Sequence, residues 1–170
     1  MKETNTRLIT MGAAIAALYV VLTLIANAFG LANYAIQVRF SEALTILPYF
    51  TSVAIPGLFA GCIISNILTG AMPLDVIFGS LATLIGAIGT NILKKKFPKI
   101  KWLAPLPPII ANTIVVPFVL AYVYKFDGSI PYFMLTVGIG EVISCGILGM
   151  ILLFSLEKYK SRLFFDNSDM

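Results

Sequence analysis

The sequence predicts an all-α integral membrane protein with six transmembrane helices and both termini in the cytoplasm. Three observations predict it. Of the 170 residues, 59% are hydrophobic and only 12% are charged, whereas soluble domains carry about a quarter charged residues. Long runs without any charge recur along the chain, and Lys and Arg crowd into alternate connections between those runs. Helices that are hydrophobic on every side belong in lipid or in a very large core, and a chain of this length cannot build the second.

A spanning helix needs about 20 mostly apolar residues. Runs 8–29, 74–93, 102–123 and 131–156 meet that requirement, the last carrying one acid, Glu141. The first run is too long for a signal-peptide core and lacks a small-residue cleavage site, so it is expected to be retained. Stretch 41–70 is less regular and contains Pro48 and Pro56. Proline disfavours helical geometry in the residue before it, so a break near Ile55 leaves two short segments, 41–52 and 55–70. These either cross twice or re-enter from one side. Together the six segments make residues 1–170 a single membrane domain.

Lysine and arginine near span ends set orientation. With both termini inside, the inner side holds Lys2, Arg7, the five lysines of 94–101, Lys158, Lys160 and Arg162, leaving Arg39 and Lys125 outside. The net charge of +4 is therefore a topology signal and does not indicate a nucleic-acid partner. Histidine is absent, and Cys62 and Cys145 lie within apolar runs, where a thiol behaves as a small hydrophobe. Neither a zinc spacing nor a disulfide framework is present. No glycine-rich nucleotide loop ending in Lys-Ser or Lys-Thr occurs. The chain is thus expected to be no enzyme and to use no cofactor or metal.

Intramembrane polar groups then stand out, because a charge costs about 2.5–3.5 kcal/mol at the centre of a bilayer helix by insertion scales. Glu141 lies roughly 15 Å below the outer surface at the helical rise, among Gly138, Gly140, Ser144 and Gly146. It either contacts a ligand or locks neighbouring helices together. Gln37, Arg39, Ser41 and Glu42 cluster before the second segment. Ser41 is suited to cap that segment, and Glu42 sits where the helix dipole favours an anion. The pair Arg39 and Glu42 is either a simple ion pair or part of a cavity mouth. Asn66 and Asp75 flank the turn 70–73, Asp75 also suiting a helix cap, and Asn112 lies mid-span. Each asparagine serves either a ligand or a helix–helix bond of about 0.6 kcal/mol. Gly12, Ala13, Ala16 and Ala17 give two small-xxx-small pairs, which serve internal packing or the docking of a second membrane protein.

The stretch Ile36-Gln37-Val38-Arg39-Phe40-Ser41-Glu42-Ala43-Leu44-Thr45, followed by 54–59 and by 78–84, resembles the QueT family. The resemblance extends over nearly the whole chain, including Leu106-Pro107-Pro108 and Gly140-Glu141. It implies a substrate-binding S component of a bacterial energy-coupling-factor importer. Such a protein is a six-helix bundle in the cell membrane that captures a queuosine precursor, a 7-deazaguanine, from outside. The implied partner is a transmembrane coupling subunit (EcfT) carrying two cytoplasmic ATPases, docked on the small-residue face of the first helix, here Ala13 and Ala17.

A deazaguanine presents two adjacent N–H donors beside a carbonyl. A carboxylate accepts both donors through charge-assisted bonds, which suits Glu141, with Asn112 or Asn66 at the carbonyl. The cationic aminomethyl group of the precursor suits Glu42 or Asp75. Tyr34, Phe40 and Tyr132 are candidates to cover the flat ring. Competing readings are an S component for another vitamin-like solute, a non-transporting scaffold, and a proton-coupled carrier using Glu141.

Overall fold

A computed structural model describes residues 2–31 and 37–163, and every regular element in it is helical. Four helical stretches among the described residues are long and apolar enough to cross a membrane: Asn5–Ala28, Pro73–Lys96, Lys101–Val123 and Ile130–Glu157. The first lies within α1 (Lys2–Ala28) and the second is α3 (Pro73–Lys96). The third contains α4 (Leu106–Phe118), continued by a π-helical segment at Val119–Val123. The fourth runs from α5 (Ile130–Glu141) through a π-helical segment, Val142–Leu148, into α6 (Gly149–Glu157). Between α1 and α3 lies α2 (Ala54–Leu68), apolar but only 15 residues long. Ile67, Ile85, Ile114, Leu135 and Ile151, one from each of α2 to α6, are all about half exposed or more. Apolar surface spread in this way around every helix is what lipid covers, and a soluble monomer does not carry it.

The main departure from expectation is segment 41–52. It forms a ten-residue 3₁₀ helix, Phe40–Tyr49, in which every residue from Ser41 onward is buried. Runs of 3₁₀ beyond three or four residues are uncommon. Two features account for this one. Pro48 lacks the amide hydrogen that an α-helix would use. The 3₁₀ rise of about 2.0 Å per residue, against 1.5 Å for an α-helix, also lets ten residues reach further. The segment runs antiparallel to α1, since Ser41 meets Thr23 while Glu42 meets Tyr19 further back along that helix. At its far end the Tyr49 hydroxyl donates to the Pro98 carbonyl at 3.1 Å, and Asn91 Nδ2 donates to the Pro48 carbonyl at 3.0 Å. Irregular backbone is tolerated at membrane depth only where protein surrounds it. Here α1, α3, α6 and the π-helical segment before α6 do so.

Close helix approaches build the wall. A Cβ on Gly57 would lie 2.7 Å from the Gly12 carbonyl oxygen, and one on Gly61 would lie 2.9 Å from the Ala16 carbonyl oxygen. The backbones of α1 and α2 therefore touch, running in the same direction. Gly12 and Ala16, half of the expected docking face, are occupied by α2, whereas Ala13 and Ala17 remain exposed. Lys94, Lys95 and Lys96 end α3 at the same end of the bundle as the Lys101–Glu157 ion pair. That pair is partly exposed, and solvent screening leaves it little weight in stability.

One contact ties the central segment to α5. A Cβ on Gly140 would stand 2.2 Å from the Gln37 carbonyl oxygen. Gly140→Ala must push residues 37–39 away from the helix. Overpacking of this kind costs about 1–3 kcal/mol. Thermal unfolding in detergent should show a lower Tm for that variant, and a Tm equal to the parent's would show that the contact is looser than described.

Candidate functional site

The first turn of the 3₁₀ helix lies at the end of the bundle away from Lys94, Lys95, Lys96 and Lys101, and it carries Glu42, 1% exposed. The expected serine cap is not formed. Arg39 takes the cap position without a side-chain bond, and Ser41 Oγ instead accepts a 2.8 Å hydrogen bond from Thr23. Tyr19 donates its hydroxyl to Glu42 Oε1, and Asn112 Nδ2 donates to Oε2 at 3.4 Å. Glu141, at the end of α5, faces the same spot. Its Oε2 accepts from the Cys145 thiol at 3.1 Å, one turn further on, where the helix widens into its π-helical segment. Wide turns of this kind are frequent at functional sites.

Glu42, Glu141 and Cys145 bring one ligand atom each within 4.8 Å of one another. That geometry could hold a cation, yet the carboxylates already receive hydrogen bonds from Tyr19, Asn112 and Cys145. These donors tie the cluster into a hydrogen-bonded floor for the site.

Two neighbouring cavities share Gln37, Arg39 and Val116. The narrower, about 10 Å³, is bordered by Glu42, Asn112 and Glu141. The wider, about 250 Å³, has a polar side formed by Thr23, Asn27, Gln37, Arg39, Asn66 and Asp75. Its other side is apolar, with Val119, Leu120, Tyr124 and Phe126. Arg39 sits between the two, its backbone amide donating to Ser144 Oγ at 3.1 Å and its guanidinium 3.5 Å from Gln37 Oε1. Asp75 and Glu42 both act electrostatically on it. Three carboxyl groups, Glu42, Asp75 and Glu141, thus line the joined space against the one guanidinium of Arg39.

All seven polar candidates from the sequence, Gln37, Arg39, Glu42, Asn66, Asp75, Asn112 and Glu141, border one cavity or the other. The aromatic candidates fare differently. Phe40 and Tyr132 border neither, Tyr132 being half exposed and packed on Phe133, and Tyr34 lies outside the described residues. The rings that border the wider cavity are Tyr124 and Phe126. Met72, not Asp75, occupies the cap position of α3. Asp75 Oδ2 accepts from the Tyr124 hydroxyl at 2.8 Å, and that hydroxyl accepts from the Met72 amide at 3.2 Å. Tyr19 was also legible in principle, since its spacing of four from Thr23 places two hydroxyls on one helix face.

The QueT transporter family matches residues 9–158, nearly the whole chain. The chain belongs to the QueT transporter family. A curated relative, the queuosine precursor transporter QueT of Lactococcus lactis subsp. cremoris (strain MG1363), is 39% identical over 85 residues. That match covers half of this chain and half of the relative. No solved structure matches. QueT family membership and the four long apolar stretches together make this a membrane protein.

The floor of the site yields a direct test. Tyr19→Phe leaves Glu42 Oε1 without its buried donor, and an unsatisfied buried acceptor costs about 1–3 kcal/mol, more if it is charged. Thermal unfolding should show clear destabilisation, larger than that of Tyr159→Phe, whose ring is half exposed. Equal Tm values for the two variants would contradict the role given to Tyr19.

Proposed function

We propose that this chain is the substrate-capture S component of an energy-coupling-factor importer and that its substrate is a 7-deazaguanine precursor of queuosine. The carrying observation is a cavity rich in acids and amides, set inside an apolar bundle at the end away from Lys94, Lys95, Lys96 and Lys101. The name of the Lactococcus relative supports the substrate class. In this reading the 3₁₀ helix and α2 complete six passages through the bilayer, with both termini and the lysine-rich loop in the cytoplasm of a bacterial cell. The excess of lysine and arginine on that side supports the orientation. The exposed pair Ala13 and Ala17 docks the coupling subunit, whose two ATPases drive uptake.

The wider cavity lies just below the usual 300–1,000 Å³ of small-molecule sites, which suits a compact bicyclic base. The donor edge of the base points into the narrow cavity, where side chains give way and Glu141 accepts both N–H groups. Asn112 meets the carbonyl. Asp75, on the wide side, faces the cationic aminomethyl group.

Binding of 7-aminomethyl-7-deazaguanine to purified protein tests these roles. Hydrogen bonds to a charged group contribute about 1.5–3 kcal/mol, so Glu141→Gln should weaken binding by about tenfold or more while the protein stays folded. Unchanged affinity removes Glu141 from the site. Asp75→Asn should lower affinity for the aminomethyl base more than for its neutral 7-cyano analogue, and an equal loss for both contradicts its role. Uptake should also cease in cells lacking the coupling ATPases. Persistent uptake there points to a stand-alone carrier instead.

A further inference from the structure

The apolar side of the wider cavity ends in two rings, Tyr124 packing also against the small core cluster of Leu120, Phe133 and Val137. Tyr124 and Phe126 are stacked, with centroids 5.6 Å apart and planes 27° from parallel, and both line the cavity. Phe126 is 52% exposed and is followed by Asp127 and Gly128 in the polar connection between α4 and α5. The backbone is shaped to hold the pair. Lys125 between them has a φ of 53°, a left-handed conformation that non-glycine residues seldom adopt. Backbone hydrogen bonds of 3.1 Å, donated by the Tyr124 N–H to the Val119 carbonyl and by the Phe126 N–H to the Leu120 carbonyl, fix the turn onto the π-helical segment. The Tyr124 hydroxyl is tethered to Asp75 on the polar side, so the ring cannot swing away without breaking that bond.

We infer that Tyr124 and Phe126 form the stacking platform of the binding site, selecting a planar heteroaromatic ligand; the inference rests on the capture reading above. Stacking needs an aromatic face on one side, while edge recognition needs donors and acceptors around the rim, and this cavity supplies the two on different walls. A flexible aliphatic amine would satisfy the polar wall and gain nothing from the rings. Aromatic pairs favour offset or edge-on contact, and the half-exposed face of Phe126 is free to take one.

The test is equilibrium binding of 7-aminomethyl-7-deazaguanine to the full-length protein and its variants. Loss of one base–aromatic stack weakens binding by about fivefold or more, and Phe126→Leu should show that loss. Phe126→Trp should restore affinity. In a Trp102→Phe background its indole emission, then the sole tryptophan signal, should be quenched as ligand saturates. Tyr124→Phe, which keeps the ring and drops the Asp75 bond, should bind better than Tyr124→Leu. Parental affinity in Phe126→Leu overturns the inference, as does failure of Phe126→Trp to restore binding or to report it. In either case a parent protein that binds the base leaves the capture reading standing. A parent protein that binds no deazaguanine overturns both.

Discussion

An ionisable side chain has to be satisfied in the middle of an apolar body, and the fold is arranged around that constraint. Glu42 sits on a 3₁₀ segment threaded through the bundle, out of reach of bulk water. Tyr19 from α1 and Asn112 from α4 supply its donors, and Glu141 and Cys145 close the same cluster from α5 and its extension. The protein must bring four separate parts of the chain to one point to bury this group. Gly57, Gly61 and Gly140 allow the close approaches that make this possible. A buried polar cluster of this kind is unforgiving, because removing one partner leaves another group uncompensated.

The sequence made the apolar passages legible, because length and absence of charge determine them. It also made the polar wall legible. An ionisable or amide group within an apolar run has few structural reasons to be there, and every such candidate lies at a cavity. The 3₁₀ conformation of 40–49 was not legible. Pro48 announces a break in α-helical bonding, but only the surrounding helices determine that the backbone stretches through the interior. Which rings border the wider cavity was not legible for a related reason. Phe40 and Tyr132 lie near polar candidates in sequence, whereas Tyr124 and Phe126 reach the cavity through a left-handed turn at Lys125 that composition does not reveal. The small residues of α1 divided along a boundary that spacing alone cannot draw: Gly12 and Ala16 face α2, and Ala13 and Ala17 face outward.

The two ends of the bundle have opposite characters. The lysine-rich end is closed by local contacts such as the Lys101–Glu157 pair and the Tyr49–Pro98 bond. The other end holds the open space, lined by Glu42, Asp75 and Glu141 and by the ring pair Tyr124 and Phe126. In the proposed function this asymmetry is that of a receptor open to one side. Energy for release must then come from a partner gripping the opposite half, where Ala13 and Ala17 remain uncovered.

Mass spectrometry of the small molecule that co-purifies with the protein from a producing cell tests the central claim most directly. The account predicts a 7-deazaguanine base, present in the parent protein and depleted in Glu141→Gln. A different solute class in the parent protein, retained equally by the variant, would contradict it.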